Sequence, residues 1–339
     1  MASSKFNKAQ VGLQTAIGTA VAPTIQVPWR GTYEHMQEMH MATFDAGQWT
    51  PTTIEANVGE ETTVTWEGTA FFEMFPVLFN SGFEDVAPSG TYIHTYVVSP
   101  AAIAVPKPLT ALFGTVGTNI GGTGPAVKLK DLFLRTVTLS ANINDKVIAV
   151  SAEFFGSTLD DNSGAGFAFE NVGLPATLEI VEPLLGVFRY QDADPATGGN
   201  FATMTDFVCS IIDAELVITT GIEPAYCLTD ETTSWSELKY TEPSAKLTLT
   251  VRTNATNYAA IKGKSNTRTF QELQWFVAGT SGHDLDIRMT GVWDAVPSVH
   301  DDEGGEVVMK GTFVCKTPYT QTTTPHWLSI IVESTHNWT

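Results

Sequence analysis

The sequence predicts a mainly β protein with only short helices. Apolar and polar residues alternate with period two in Thr62-Thr63-Val64-Thr65-Trp66-Glu67, and again over 136–143, 246–252 and 307–313. That period marks half-buried antiparallel strands, because successive side chains point to opposite faces. Helical spacing is scarce, and Gly, Pro and Ser clusters punctuate the chain, as turns between short strands require.

The opening stretch, residues 1–28, carries no charge from Gln10 onward and mixes small, neutral and apolar residues. Alone it buries too little surface to offset the entropy of ordering it. It is therefore expected to be an assembly arm that docks on another copy of the chain, with Phe6, Val11, Leu13, Ile17, Val21, Pro23 and Trp29 as its contacts. A strand is expected near 27–41, followed by the alternating run at Thr62. Residues 69–82 then read as a short helix, with Thr69 as cap, Gly82 as stop and Pro76 limiting its length. Residues 84–130 are too long for a plain hairpin connection and should hold strands of their own, one around Tyr92–Val98. Leu132–Phe155 reads as a hairpin of two long strands turning at Asn142–Lys146. Residues 160–173 and 192–200 read as loops, the second marking a boundary.

Beyond it, strands are expected near 208–222 and 246–252, then a helix capped by Asn254 and stopped by Gly263. Leu285–Val296 and Val307–Cys315 form a second strand-turn-strand. Strand, helix and hairpin thus recur in the same order with similar spacing. The repetition reads as a possible tandem duplication; a loose match between two β-rich stretches is the alternative. The division is 1–28 as arm, 29–190 as first β domain with the long loop 84–130, and 191–339 as second β domain.

At 339 residues and 43% hydrophobic content the chain can build a substantial core. Its 18 basic against 37 acidic residues give a formal charge of −19, which argues against a sequence-reading DNA binder. A negative wall could still serve a conduit that must not hold DNA. Cys209, Cys227 and Cys315 are too few for a disulfide framework, which favours a reducing compartment. No export leader and no membrane span are expected.

The search for chemistry ends without a catalytic constellation. His35 and His40 do not have metalloprotease spacing, and on a strand they face opposite sides. Asp192, Asp194 and Gly198 lack the closing Glu of a calcium loop. Gly114–Gly124 has no following Gly-Lys-Ser/Thr, and Gly-x-Ser-x-Gly is absent. Asp301-Asp302-Glu303 reads first as a solvated hairpin tip. The eight tryptophans are scattered and read as core or subunit contacts. Neither enzymatic activity, a metal nor a cofactor is expected.

Several stretches resemble the tail tube (major tail) proteins of long-tailed, non-contractile bacteriophages. They are the opening phrase Gly12-Leu13-Gln14-Thr15-Ala16, Gly18–Thr24 and Pro28-Trp29; Tyr92-Ile93-His94-Thr95-Tyr96 with Ser99-Pro100; Val150–Gly156; and Thr322–Pro325 with the late strand Leu328–Val332. The resemblance implies a β-sandwich or half-barrel with a flanking short helix, its sheets joining between subunits into a channel-lining β-barrel. It further implies a virion protein whose rings stack into a tube for genomic DNA. Its partners would be copies of itself, the tape measure protein, tail-end proteins, and double-stranded DNA passing without specific binding. A duplicated chain would form a trimeric ring with pseudo-sixfold symmetry, a single-copy chain a hexamer. Asp145, Glu153, Asp284, Asp286, Asp301, Asp302 and Glu303 are then candidates for the lumen or a subunit interface. The competing readings are a capsid decoration protein, a tail-fibre module and a carbohydrate-binding β-sandwich.

Overall fold

Alternation along the sequence becomes antiparallel strands throughout. The structure, a computed structural model, describes residues 4–44, 52–85, 92–98, 106–114, 126–157, 159–160, 162, 166–192, 204–207, 211–226, 235, 237–280, 282–294, 298–303, 306–316 and 327–335. A first set of strands comprises β1 (Ser4–Phe6), β2 (Lys8–Leu13), β3 (Ile25–Val27), β4 (Arg30–Phe44) and β5 (Thr52–Thr69). It continues with β6 (Ile93–Val98), β7 (Leu109–Gly114), β8 (Val127–Asn142), β9 (Ala149–Gly156) and β10 (Leu159–Asp160). A second set begins with β11 (Gly186–Asp192), β12 (Thr205–Asp206), β13 (Ile211–Thr219), β14 (Ile222–Ala225), β15 (Glu237–Tyr240) and β16 (Ser244–Arg252). It ends with β17 (Gln271–Ala278), β18 (Asp284–Trp293), β19 (Ser298–Glu303), β20 (Glu306–Cys315) and β21 (Leu328–Glu333).

The pairings of the first set recur in the second. In the first, neighbours run β3–β2–β7–β8–β9–β5–β4. In the second they run β12–β11–β17–β18–β20–β16–β13. Each set places its helix after the strand that enters it, β5 or β16. The boundary expected after residue 190 falls inside β11, all of which pairs with β17.

The two sets join edge to edge. β8 pairs with β13 over seven residues, from Thr136↔Thr219 to Asn142↔Asp213. One continuous sheet therefore runs β4–β5–β9–β8–β13–β16–β20. A second link is made by β6, which among the described strands pairs with β21. One hydrophobic cluster spans both sets, from Trp66, Phe154 and Leu139 to Leu216, Leu249 and Trp293.

The first helix is α1 (Phe75–Asn80), entered through a tight turn at Phe72–Met74, and every residue from Phe72 to Phe83 is buried. Pro76 sits in its first turn, where a missing N–H costs nothing. The expected Thr69 cap makes no such bond; Phe71 precedes the turn instead. The second helix starts as expected: the Asn254 side chain accepts from the Asn257 N–H at 2.8 Å, capping α2 (Ala255–Asn257). It does not stop at Gly263. The chain passes through a wider turn, Tyr258–Gly263, into α3 (Lys264–Thr267) and ends at Arg268, whose φ of 50° is left-handed.

The opening stretch corrects a larger expectation. It is built into the chain's own sheets rather than left as an arm. β2 lies between β3 and β7, and β1 lies on β4. Phe6, Val11, Pro23, Ile25, Val27 and Trp29 are buried. Backbone hydrogen bonds to distant strands supply the order that the segment's own composition does not. Residues 15–20 remain exposed, with Ile17 near their centre.

Candidate assembly surfaces

The continuous sheet has one apolar and one polar face. On the core side, Trp66, Ala152, Val137, Ile218 and Ala245 form one row across five strands. One residue along, the opposite face shows Thr65, Glu153, Thr136, Thr219 and Ser244. The next rows on that face hold Ser151, Thr138 and Val217, then Ser140, Glu215, Thr248 and Thr312. These side chains are half-buried or exposed. Hydroxyls dominate, and the six acidic residues Glu34, Glu61, Glu67, Glu153, Asp213 and Glu215 narrowly outnumber the five cations Arg30, Arg135, Lys246, Arg252 and Lys310. Arg135 bridges Glu61 at 2.6 Å and Glu153 at 3.1 Å. Burial works to lower the Arg135 pKa, but its bonds to the two carboxylates outweigh burial and hold it above the usual value.

One end of this face is covered. The connection from β13 to β16 folds over the hairpin β8–β9: Trp235 packs on Phe133 and Phe155, and its Nε1 donates to the Gly156 carbonyl at 3.1 Å. The connection from β4 to β5 is its counterpart in the first set. There β4 and β5 continue as a two-stranded ribbon, with Glu34–Phe44 of β4 paired only to β5 among the described residues.

Each outer edge of the sheet differs from the internal joint. β4 holds the position in its set that β13 holds in the other. Among the described residues its outer edge carries only β1, through Ser4↔Tyr33, Lys5↔Thr32 and Phe6↔Gly31. Phe6 anchors β1 against Phe113, with ring centroids 4.7 Å apart. At the other end, β18 and β19 hold the position of β8. β19 pairs only with β20 among the described residues.

A buried clamp fixes the two sets to each other. The Glu73 carboxylate, fully buried, accepts from His283 Nε2 at 2.7 Å and from the Glu179 N–H at 3.1 Å. His283 Nδ1 lies 2.9 Å from the Glu179 carboxylate, which also receives the Thr280 N–H and hydroxyl. Glu73 enters α1 and His283 lies in the turn between β17 and β18, so this cluster reads as structural. Among the described residues no group of His, Cys, Asp and Glu is arranged to hold a metal. His35 Nδ1 pairs with the Thr62 hydroxyl at 2.9 Å.

The remaining sequence candidates divide as follows. Leu13 and Val21 are half-buried beside the exposed loop. That loop is tied down by a hydrogen bond from the Gly18 N–H to Asp131 Oδ1 at 2.7 Å, at a φ of 82° that suits only glycine. Asp145 is exposed in the β8–β9 turn. Asp286 is buried and neutralised by Arg288 at 2.7 Å, with Gln274 donating at 2.8 Å, so it lines no open surface. Asp284 stands opposite Glu333 across β18–β21; burial first, then the Glu333 charge, pushes its carboxyl up. Asp301, Asp302 and Glu303 lie on β19, and their side chains fall outside the described residues. Cys315 is buried and free, its thiol pushed far up by burial; Cys209 and Cys227 lie outside the described residues. Trp29, Trp66, Trp235, Trp275, Trp293 and Trp327 are buried. Trp49 and Trp338, the phrase Ser99-Pro100 and residues 322–325 fall outside the described residues.

No described helix is long and apolar enough to cross a membrane. No protein-family model matches the chain, and no curated protein matches its sequence.

Proposed function

We propose that the chain is a structural subunit of a phage tail tube, closing into rings that stack around a channel for DNA. The observation that carries this reading is the β8–β13 joint. It shows how the polar face of one set continues into the next without a break. Repeated from chain to chain, the same joint would close the sheet into a barrel, the arrangement that leaves no edge strands to aggregate. Two sets per chain then favour a trimeric ring with pseudo-sixfold symmetry.

The hydroxyl-rich face is the channel lining. Its short side chains and mild acidic excess give a passing DNA backbone no net positive charge to bind, in keeping with the whole chain's charge of −19. The exposed loop 15–20, held at Gly18 by Asp131, replaces the whole opening stretch as the ring-stacking contact. The chain acts passively, as part of the virion assembled in the host cytoplasm, with no catalytic step and no cofactor. Tape measure and tail-end proteins are its partners along and at the ends of the tube.

Negative-stain microscopy of the purified chain tests this. Stacked rings or tubes of uniform diameter are expected. A chain that stays a dispersed monomer at every concentration would sink the reading, and a solved assembly with a basic lumen would sink the account of DNA passage.

A further inference from the structure

The geometry points to β1 as a removable cap on the assembly edge of the free chain, seated where a second copy's β18–β19 edge binds. This rests on the tube reading and adds to it a step that the internal joint does not need. Among the described residues, β13 meets β8 over seven residue pairs, whereas β4 meets β1 over three. The positions match. Stepping inward from the helix along β5 and β16, Trp66 and Leu249 are equivalent; their partners on the neighbouring strand are Gly31 and Ala214. On β13, Ala214, Glu215 and Leu216 pair with Ala141, Ser140 and Leu139 of β8. On β4, Gly31, Thr32 and Tyr33 pair with Phe6, Lys5 and Ser4 of β1. The chain's own first strand therefore fills the middle of the site that an incoming strand needs.

The occupant is a second copy because the complementary edge is present on the same chain. Following the equivalence across β9 and β20, Ser140 and Asp301 occupy matching places, each opposite the strand that pairs with the sheet's centre. That puts the backbone of Asp301–Glu303 of one copy along the β4 edge of the next, in the place that β1 holds in the free chain. The β4–β5 ribbon adds a second contact. Its counterpart, the β13–β16 connection, lies over Phe133 and Phe155 of the preceding set, and the ribbon would lie over the equivalent ends of β18 and β20 in the neighbour.

A free chain with an open β4 edge would pair with any exposed strand. A short cap blocks such pairing but yields to a longer partner strand. Phe6, buried against Phe113 and Tyr33, holds the cap until then.

The test is a reversible lock. Lys5 and Thr32 face each other across β1–β4, Lys5 being exposed, so the chain is made with Lys5→Cys and Thr32→Cys on a Cys209→Ser, Cys227→Ser background. Assembly is followed by sedimentation velocity and microscopy. The oxidised chain is expected to stay monomeric and the reduced chain to form rings, with at least a tenfold difference in the concentration needed. A second variant lacking residues 1–6 is expected to assemble at a lower concentration than the full chain. If oxidised and reduced chains assemble alike, the cap is wrong and the tube reading stands. If the full chain, the reduced chain and the shortened chain all remain monomers, the tube reading falls and takes the cap with it.

Discussion

Replacing Glu73 by alanine is the sharpest structural test, because the side chain is fully buried and sits between the two strand sets. Its carboxylate takes hydrogen bonds from His283 Nε2 at 2.7 Å and from the Glu179 N–H at 3.1 Å. Removing it takes the acceptor from the Glu179 N–H and leaves His283 Nε2 only the longer contact to the Thr335 hydroxyl, at 3.3 Å. Each buried donor that loses its acceptor costs about 1–3 kcal/mol. Two donors are affected, so the expected destabilisation is about 2–5 kcal/mol in all. Glu73→Gln keeps an acceptor for the Glu179 N–H and should lose less. Urea unfolding at pH 7, read by tryptophan fluorescence, measures each variant. A cycle with His283→Ala should return a coupling of about 1–3 kcal/mol. A loss below about 1 kcal/mol for Glu73→Ala, or coupling within about 0.5 kcal/mol of zero, would refute the clamp.

Two other outcomes follow from local geometry. A Cβ added at Gly31 would lie 1.8 Å from the Thr65 carbonyl oxygen, so Gly31→Ala should force β4 from β5 and lose about 1–3 kcal/mol; an unchanged melting temperature would show that the strands separate without cost. Asp284 carries a raised pKa in the folded chain, chiefly from burial, so its ionisation opposes folding. Its contribution is fully present below the unfolded pKa of about 4 and is lost as pH rises through the folded value. Asp284→Asn should therefore melt higher than the parent at pH 7, with the gain vanishing in acid; a gain that persists below pH ~3 would contradict this.

The parts of the fold legible in the sequence are those with one wet face. β5, β8, β16 and β20 alternate because half their side chains meet solvent. β7, Leu109–Gly114, is buried at every position and so carries no alternation to read. The same blindness misplaced the opening stretch. β2 is buried at its four central positions, including Gln10, whose amide is satisfied by Glu170 of a distant loop. Without that partner in view, its neutral composition looked like an unpacked arm. The Glu73–His283 contact joins residues 210 positions apart and leaves no local signal at all. The joint between sets was only half visible: the hairpin β8–β9 could be seen, but not that β13 would take its open edge. Of the acidic candidates, Asp286 shows why residue type alone misleads, since Arg288 and Gln274 consume its charge inside the sheet.

The crossed pair β6–β21 has a consequence for how the chain is made. Ile93–Val98 leaves the ribosome long before Leu328–Glu333, the strand it pairs with. At about 5–20 residues per second, the interval is on the order of tens of seconds. Through that time β6 waits with an unfilled edge, and β18 then waits on its other side for the same strand. Synthesis of the last strand is thus the stitch that closes both sets at once. A chain that stops before residue 327 would carry two sticky edges at the same time, and its fate in the cell would be aggregation rather than a smaller working subunit.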